Sequence, residues 1–142
     1  MNLREIDLLL GEPGVCDPRE YSSLALAHIG DAIFEVLVRL TVLTDGNMPV
    51  NRLHKRARDI VNAKAQAEFY YRIREELSEE EADVFRRGRN AKSFTVPKNA
   101  NLMDYRHATG LEALFGYLYL KGEKARVVEL FRLGMAEKID EM

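Results

Sequence analysis

Cysteine is almost absent from the sequence: Cys16 stands alone, so an internal disulfide is excluded. A single thiol with neither a second Cys nor a paired His pattern reads as a small buried or surface side chain, and it fits a reducing compartment. The opening stretch MNLREIDLLLG lacks the basic start and the small-residue cleavage site of a secretion signal. Long apolar runs are missing too. The longest apolar region, residues 24–40, is interrupted by Asp31, Glu35 and Arg39, which makes it a poor membrane span. Alternation of β-branched residues is absent, as are an internal repeat and a linker. These absences predict a soluble, cytoplasmic chain whose residues 1–142 form one domain.

An excess of one charge sign is also missing. Lys and Arg number 21 against 23 Asp and Glu, a formal net charge of −2. That balance argues neither for nor against nucleic acid, but the distribution is uneven. Residues 75–83, EELSEEEAD, carry six acids and no base. Residues 84–103 carry five Lys or Arg and no acid, and residues 52–64 carry five more bases against one acid. Ten of the 21 bases thus fall in 33 residues, enough to give a near-neutral chain a basic face.

What is present suffices to fold. With 46% hydrophobic and 31% charged residues, 142 residues suit one domain with one core. The apolar spacing is helical. Asp17-Pro18-Arg19-Glu20 reads as a helix start, with Asp17 as N-cap and Glu20 reaching back; the helix runs to about Leu43, before a turn at Thr44-Asp45-Gly46-Asn47. In NRLHKRARDIV, Leu53, Ala57, Ile60 and Val61 form one apolar stripe, while Arg52, Lys55 and Arg56 lie on another face. Asn62 is placed to cap a helix over AKAQAEFYYRIREEL. Ser78 with Glu81 makes a capping box for a short helix to about Arg87, with Gly88 placed to end it. Residues 89–103 read as a loop long enough to suspect a function. A helix over YRHATGLEALFGYLYL ends near Lys121-Gly122, and a last helix, 123–140, carries Val127, Leu130, Phe131, Gly134 and Met135 on one side. The fold class is all-α. The helices over 24–40 and 105–120 are apolar nearly all round, so both are expected to be buried, with a dimer interface covering what remains.

Each of these two helices contains a carboxylate: Asp31 in one and Glu112 in the other. Small residues surround both, Ala27 and Gly30 near Asp31, and Ala108, Thr109 and Gly116 near Glu112. These let backbones approach, or leave room for a ligand. Two carboxylates facing each other repel unless a cation or a shared proton lies between them. Mg²⁺ suits such a place, since it takes one or two protein carboxylates and fills its shell with water and phosphate oxygens; the chemistry implied is metal-assisted hydrolysis. The alternative is that a Tyr, a His or a basic side chain satisfies each acid as a structural pair. His28 reads as a packed histidine and His107 as a partly exposed one, neither as a ligand. In RRGRNAKSFTVPKN, Arg86, Arg87, Arg89, Lys92 and Lys98 alternate with Asn90, Ser93 and Asn99, a set able to hold phosphates and reach ribose hydroxyls and base edges. Arg86 and Arg87 also complement the dipole of their own helix.

IGDAIFE at 29–35 together with LEALFGYLYL at 111–120 resembles the ribonuclease III catalytic domain. The ordered set LALAHIGDAIFEV, KRARDIVNAKAQAE, RRGRNAKSFTVPKN and YRHATGLEALFGYLYL is most similar to the short bacterial branch of that family, the Mini-ribonucleases III, which lack a double-stranded-RNA-binding domain. The resemblance implies an all-helical homodimer that cleaves double-stranded RNA with Mg²⁺, Mn²⁺ being able to substitute. Asp31 and Glu112 match the catalytic, metal-binding acids. The 86–99 loop and Arg52, Lys55 and Arg56 would supply the grip on RNA. The expected substrate is the paired ends of precursor large-subunit (23S) ribosomal RNA, with a ribosomal protein on that precursor as a further partner. Ala27 and Thr109 stand where longer relatives have two more acids, which leaves the number of metals open. Two other readings stand beside this one: an RNA-binding domain that does not cut, and a helical DNA-binding regulator.

Overall fold

The structure is a computed structural model and describes residues 17–92, 98 and 101–141, apart from the side chains of 137–141. Cys16 therefore lies outside the described residues. Six α-helices follow a short 3₁₀ turn: α1 Ser23–Leu43, α2 Val50–Ile60, α3 Ala63–Ile73, α4 Glu79–Asn90, α5 Leu102–Lys121 and α6 Lys124–Glu141. Among the described residues there is no strand.

The helix expected from Asp17 is divided. Pro18–Glu20 makes one 3₁₀ turn, and Asp17 accepts from the Arg19 backbone N at 2.9 Å and pairs with its guanidinium at 3.0 Å. Tyr21 is extended, and Ser22 restarts the chain by accepting from Ala25 N at 3.1 Å. With its carboxylate held by Arg19, Asp17 caps only the turn, and the free hydroxyl of Ser22 caps the long helix. The other caps are as expected. Asn62 accepts from Ala65 N at 2.9 Å, Ser78 and Glu81 form a reciprocal capping box, and Gly122 ends α5 at φ +89°, where only glycine sits without strain.

Gly88 does not end α4, which continues to Asn90. It is buried, and a Cβ there would come within 2.8 Å of Ala113 Cβ and 3.0 Å of Gly110 Cα. Its small size serves the contact between α4 and α5 and not the helix stop.

α5 is the central helix, packed on α1, α4, α3 and α6. Ten of its residues are buried, including the unbroken run Ala113–Leu118. Phe34, Phe69, Phe115 and Phe131, from α1, α3, α5 and α6, meet with ring centroids 5.2–6.0 Å apart, mostly edge to face. The last helix faces inward as its spacing predicts, with Val127, Leu130, Phe131, Gly134 and Met135 buried. α1 departs from expectation. It buries Leu26, Ala27, Gly30, Phe34, Val38 and Val42, but Leu24, Val36, Leu40 and Leu43 stay exposed, since α5 covers one side of it only. No helix among the described residues is long and apolar enough to cross a membrane.

Candidate functional site

The site starts from two glycines. A Cβ on Gly30 would fall on the Glu112 carbonyl oxygen and lie 2.8 Å from Gly116 N. A Cβ on Gly116 would fall on the Leu26 carbonyl oxygen and lie 2.9 Å from Ile29 Cγ2. α1 and α5 therefore cross backbone against backbone, with only the Ile29 side chain reaching the edge of the contact. The crossing sets Asp31, next to Gly30, beside Glu112, four residues before Gly116, with the two carboxyl groups close enough for each to feel the other.

The setting is not the deep interior that the apolar sequence suggests. Asp31 is exposed and Glu112 half-buried. Burial, followed by the hydrogen bond and charge of Asp31, pushes the Glu112 carboxyl up to about 9. Near neutral pH, with nothing bound, a proton rather than a counter-ion relieves the repulsion. The side chain of Gln66, on α3, acts in the opposite sense and draws the Glu112 value down. Gln66 is only 4% exposed, and among the described residues its Nε2 is a buried donor that completes no hydrogen bond. Sequence reasoning missed this residue. The signal was its place three residues before Phe69 and seven before Ile73, on the inward stripe of its helix.

This donor set fits a hard divalent cation. Two carboxylates lie side by side, one open to solvent, with an unsatisfied amide donor behind the other. Among the described residues no group of three or more His, Cys, Asp or Glu gathers anywhere, so the protein would supply two charged ligands and leave the remaining positions to water or substrate oxygens. Ala27 is buried, and the Thr109 hydroxyl donates to the Tyr105 carbonyl at 3.0 Å, so neither adds charge.

Both histidines fall elsewhere than expected. His28 is exposed. His107 is buried, with Nδ1 2.7 Å from Met103 O and its ring against Tyr70, Tyr71 and Phe85.

The basic residues form two groups. Arg52 and Lys55 are exposed on α2, while Arg56 is tied to Asp45 at 2.7 Å. Arg86 and Arg87, also exposed, share Asp83, the Arg87 contact being 3.0 Å. Arg89 leans on Asn90 at 3.3 Å. Lys92 and Lys98 are exposed, and Ser93 and Asn99 lie outside the described residues. The acidic run is structural in part. Glu81 is buried and receives two hydrogen bonds of 2.8 Å from Arg126, and Glu80 pairs with Tyr117 and, at 3.0 Å, with Lys121.

Comparisons with known proteins give the family and the fold. The family model for the ribonuclease III domain matches residues 24–123. A Mini-ribonuclease 3 from Thermoanaerobacter is 47% identical over 135 residues, covering 95% of this chain and 93% of the relative. One from Brevibacillus brevis is 46% identical, covering 84% and 90%. A crystal structure of a Fusobacterium nucleatum protein superposes with a TM-score of 0.79 at 33% identity, covering 88% of this chain and 96% of that one.

Proposed function

Because the chain belongs to the ribonuclease III family, in its Mini-ribonuclease 3 branch, it is an endoribonuclease, and we propose that it cuts double-stranded RNA with Mg²⁺ held by Asp31 and Glu112. The observation that carries this reading is the placing of the two carboxyl groups side by side, one of them open to solvent, by a backbone-to-backbone crossing of α1 and α5. When bound, the cation supplies positive charge for the phosphate and lowers the pKa of the attacking water. The chain's own residues do the rest. Glu112 would hold the cation as a second carboxylate beside Asp31. Asp31, being exposed, faces the incoming phosphodiester. The backbone contact at Gly30 and Gly116 keeps the two helices, and so the two acids, in fixed relation, and the buried Phe cluster behind it stabilises the fold.

Arg52 and Lys55 on α2 and Lys92 and Lys98 beyond α4 supply the grip on the RNA backbone, joined by Arg86, Arg87, Arg89, Asn90 and Arg56 where these release their present partners. Ser93 and Asn99 complete the set by sequence. The exposed apolar side of α1 is the surface for a second copy. Val36, Leu40 and Leu43 lie along it, and Ile33, Val36, Leu37, Tyr119, Val127 and Val128 line an apolar groove at its edge. A homodimer covering that face sets one site against each strand of a duplex. The substrate we assign is precursor 23S ribosomal RNA, cut at its paired ends in the cytoplasm, with a ribosomal protein on that precursor as a further partner.

The test is cleavage of a long labelled RNA duplex with Mg²⁺ and with chelator, beside a matched single strand, a DNA duplex and the Asp31→Asn variant. The expected result is cutting of duplex RNA alone, dependent on both Mg²⁺ and Asp31. Tight binding with no cutting would replace the reading by a non-catalytic RNA-binding domain.

A further inference from the structure

We infer that Gln66 is a positioning residue for Glu112, a buried amide that fixes the direction in which its carboxyl faces the cation site. The inference rests on the assignment of Asp31 and Glu112 made above.

Gln66 sits where an apolar residue would serve folding better. It is 4% exposed on α3, on the face that also carries Ala67, Phe69 and Ile73 and that packs on α5. A buried amide nitrogen without a partner is a cost to folding, and an apolar side chain of the same volume would remove that cost. Nε2 completes no well-formed hydrogen bond, and the polar group that the Gln66 side chain reaches is the Glu112 carboxyl. An amide donor set against a carboxyl oxygen fixes the rotamer of the acid. The residue type suits the task. A Lys here would neutralise Glu112 and compete with the cation, and a Glu would add a third negative charge. An amide orients the carboxylate without changing the charge of the site, the part played by the outer groups around metal ligands.

The test compares Gln66→Leu, Gln66→Met and Gln66→Glu with the unaltered protein in four measurements: thermal stability, RNA-duplex affinity in chelator, Mn²⁺ affinity by calorimetry, and steady-state cleavage at saturating Mg²⁺. The expected result for the Leu and Met variants is unchanged or raised thermal stability, with unchanged RNA affinity and KM. Their kcat should fall roughly 10–100-fold, with a matching loss of Mn²⁺ affinity. Gln66→Glu, which keeps the shape but replaces the donor, should be no better than Gln66→Leu. A packing role predicts the opposite pattern, lowered stability with kcat and Mn²⁺ affinity intact, and that pattern would overturn the inference. If Gln66→Leu does not fold, Gln66→Met decides. Asp31→Asn runs in parallel: continued cutting by it sinks the site assignment itself, whereas loss of cutting there with unimpaired Gln66 variants sinks the present inference alone.

Discussion

At Glu112 the carboxyl is pushed up to about 9 by burial and by Asp31, against an ordinary value of 4.5, so the folded chain favours the protonated form. Between those two values the unfolded chain is ionised there and the folded chain is not, which makes the group a growing cost to stability as pH rises. Glu112→Gln mimics the protonated form without that cost. Its expected outcome is loss of cleavage with a melting temperature at pH 7 equal to or above that of the unaltered protein, read by metal-free thermal denaturation; a drop of several degrees would mean the acid is a structural partner. Glu81 behaves in the reverse way. The Arg126 hydrogen bonds, ahead of the Ser78 cap, hold its carboxyl below the ordinary 4.5. Its contribution is complete above about pH 4.5 and is lost as pH falls through the depressed value. Arg126→Ala strands a buried carboxylate. It should cost about 3 kcal/mol at pH 7, the low end for breaking a buried pair because Arg126 is partly exposed, and should flatten the acid limb of a stability–pH profile.

Among the elements, α1 and α5 depend on each other through Gly30 and Gly116. A methyl on Gly30 would occupy the position of the Glu112 carbonyl, so Gly30→Ala must push the helices apart. The expected cost is about 3 kcal/mol, at the upper end for overpacking, together with loss of cleavage even where the fold survives. Circular dichroism beside the duplex-cutting assay separates the two effects. Most helices were legible in the sequence because their ends carry chemistry: the Asn62 cap, the Ser78–Glu81 box and the Gly122 stop depend on neighbours within four residues. Gly88 was misread because a tertiary contact decided it, and the Asp17 turn because a side chain two residues on competes for the cap. In one, α5 presses on a glycine; in the other, a guanidinium occupies the capping oxygen. The two acids were legible as charges in apolar helices. That they meet, with Gln66 behind them, follows from how three helices cross, and local spacing carries no such information.

For the whole molecule, the charge pattern and the uncovered side of α1 set what the surface can do. Val36 and Leu40 are each 55% exposed, one turn apart and beyond the crossing. Replacing both with Asp should leave the fold intact and halve the mass seen in sedimentation if that side joins two copies. An unchanged mass would remove the dimer from the proposal. The sequence showed that this helix was apolar nearly all round and that a second copy could cover part of it; which residues stay uncovered, Leu24, Val36, Leu40 and Leu43, follows from how α5 packs on it.

The crossing at Gly30 and Gly116 also behaves as a gauge. Because backbone rests on backbone there, the gap between the helices is set chiefly by main-chain atoms, whereas the phenylalanine cluster behind it depends on four side chains. The two parts of the interior therefore differ in how far they tolerate drift. Ring-for-aliphatic exchanges in the cluster should change the temperature at which the molecule melts and leave the spacing of its two acids, and so the rate per folded molecule, where it was.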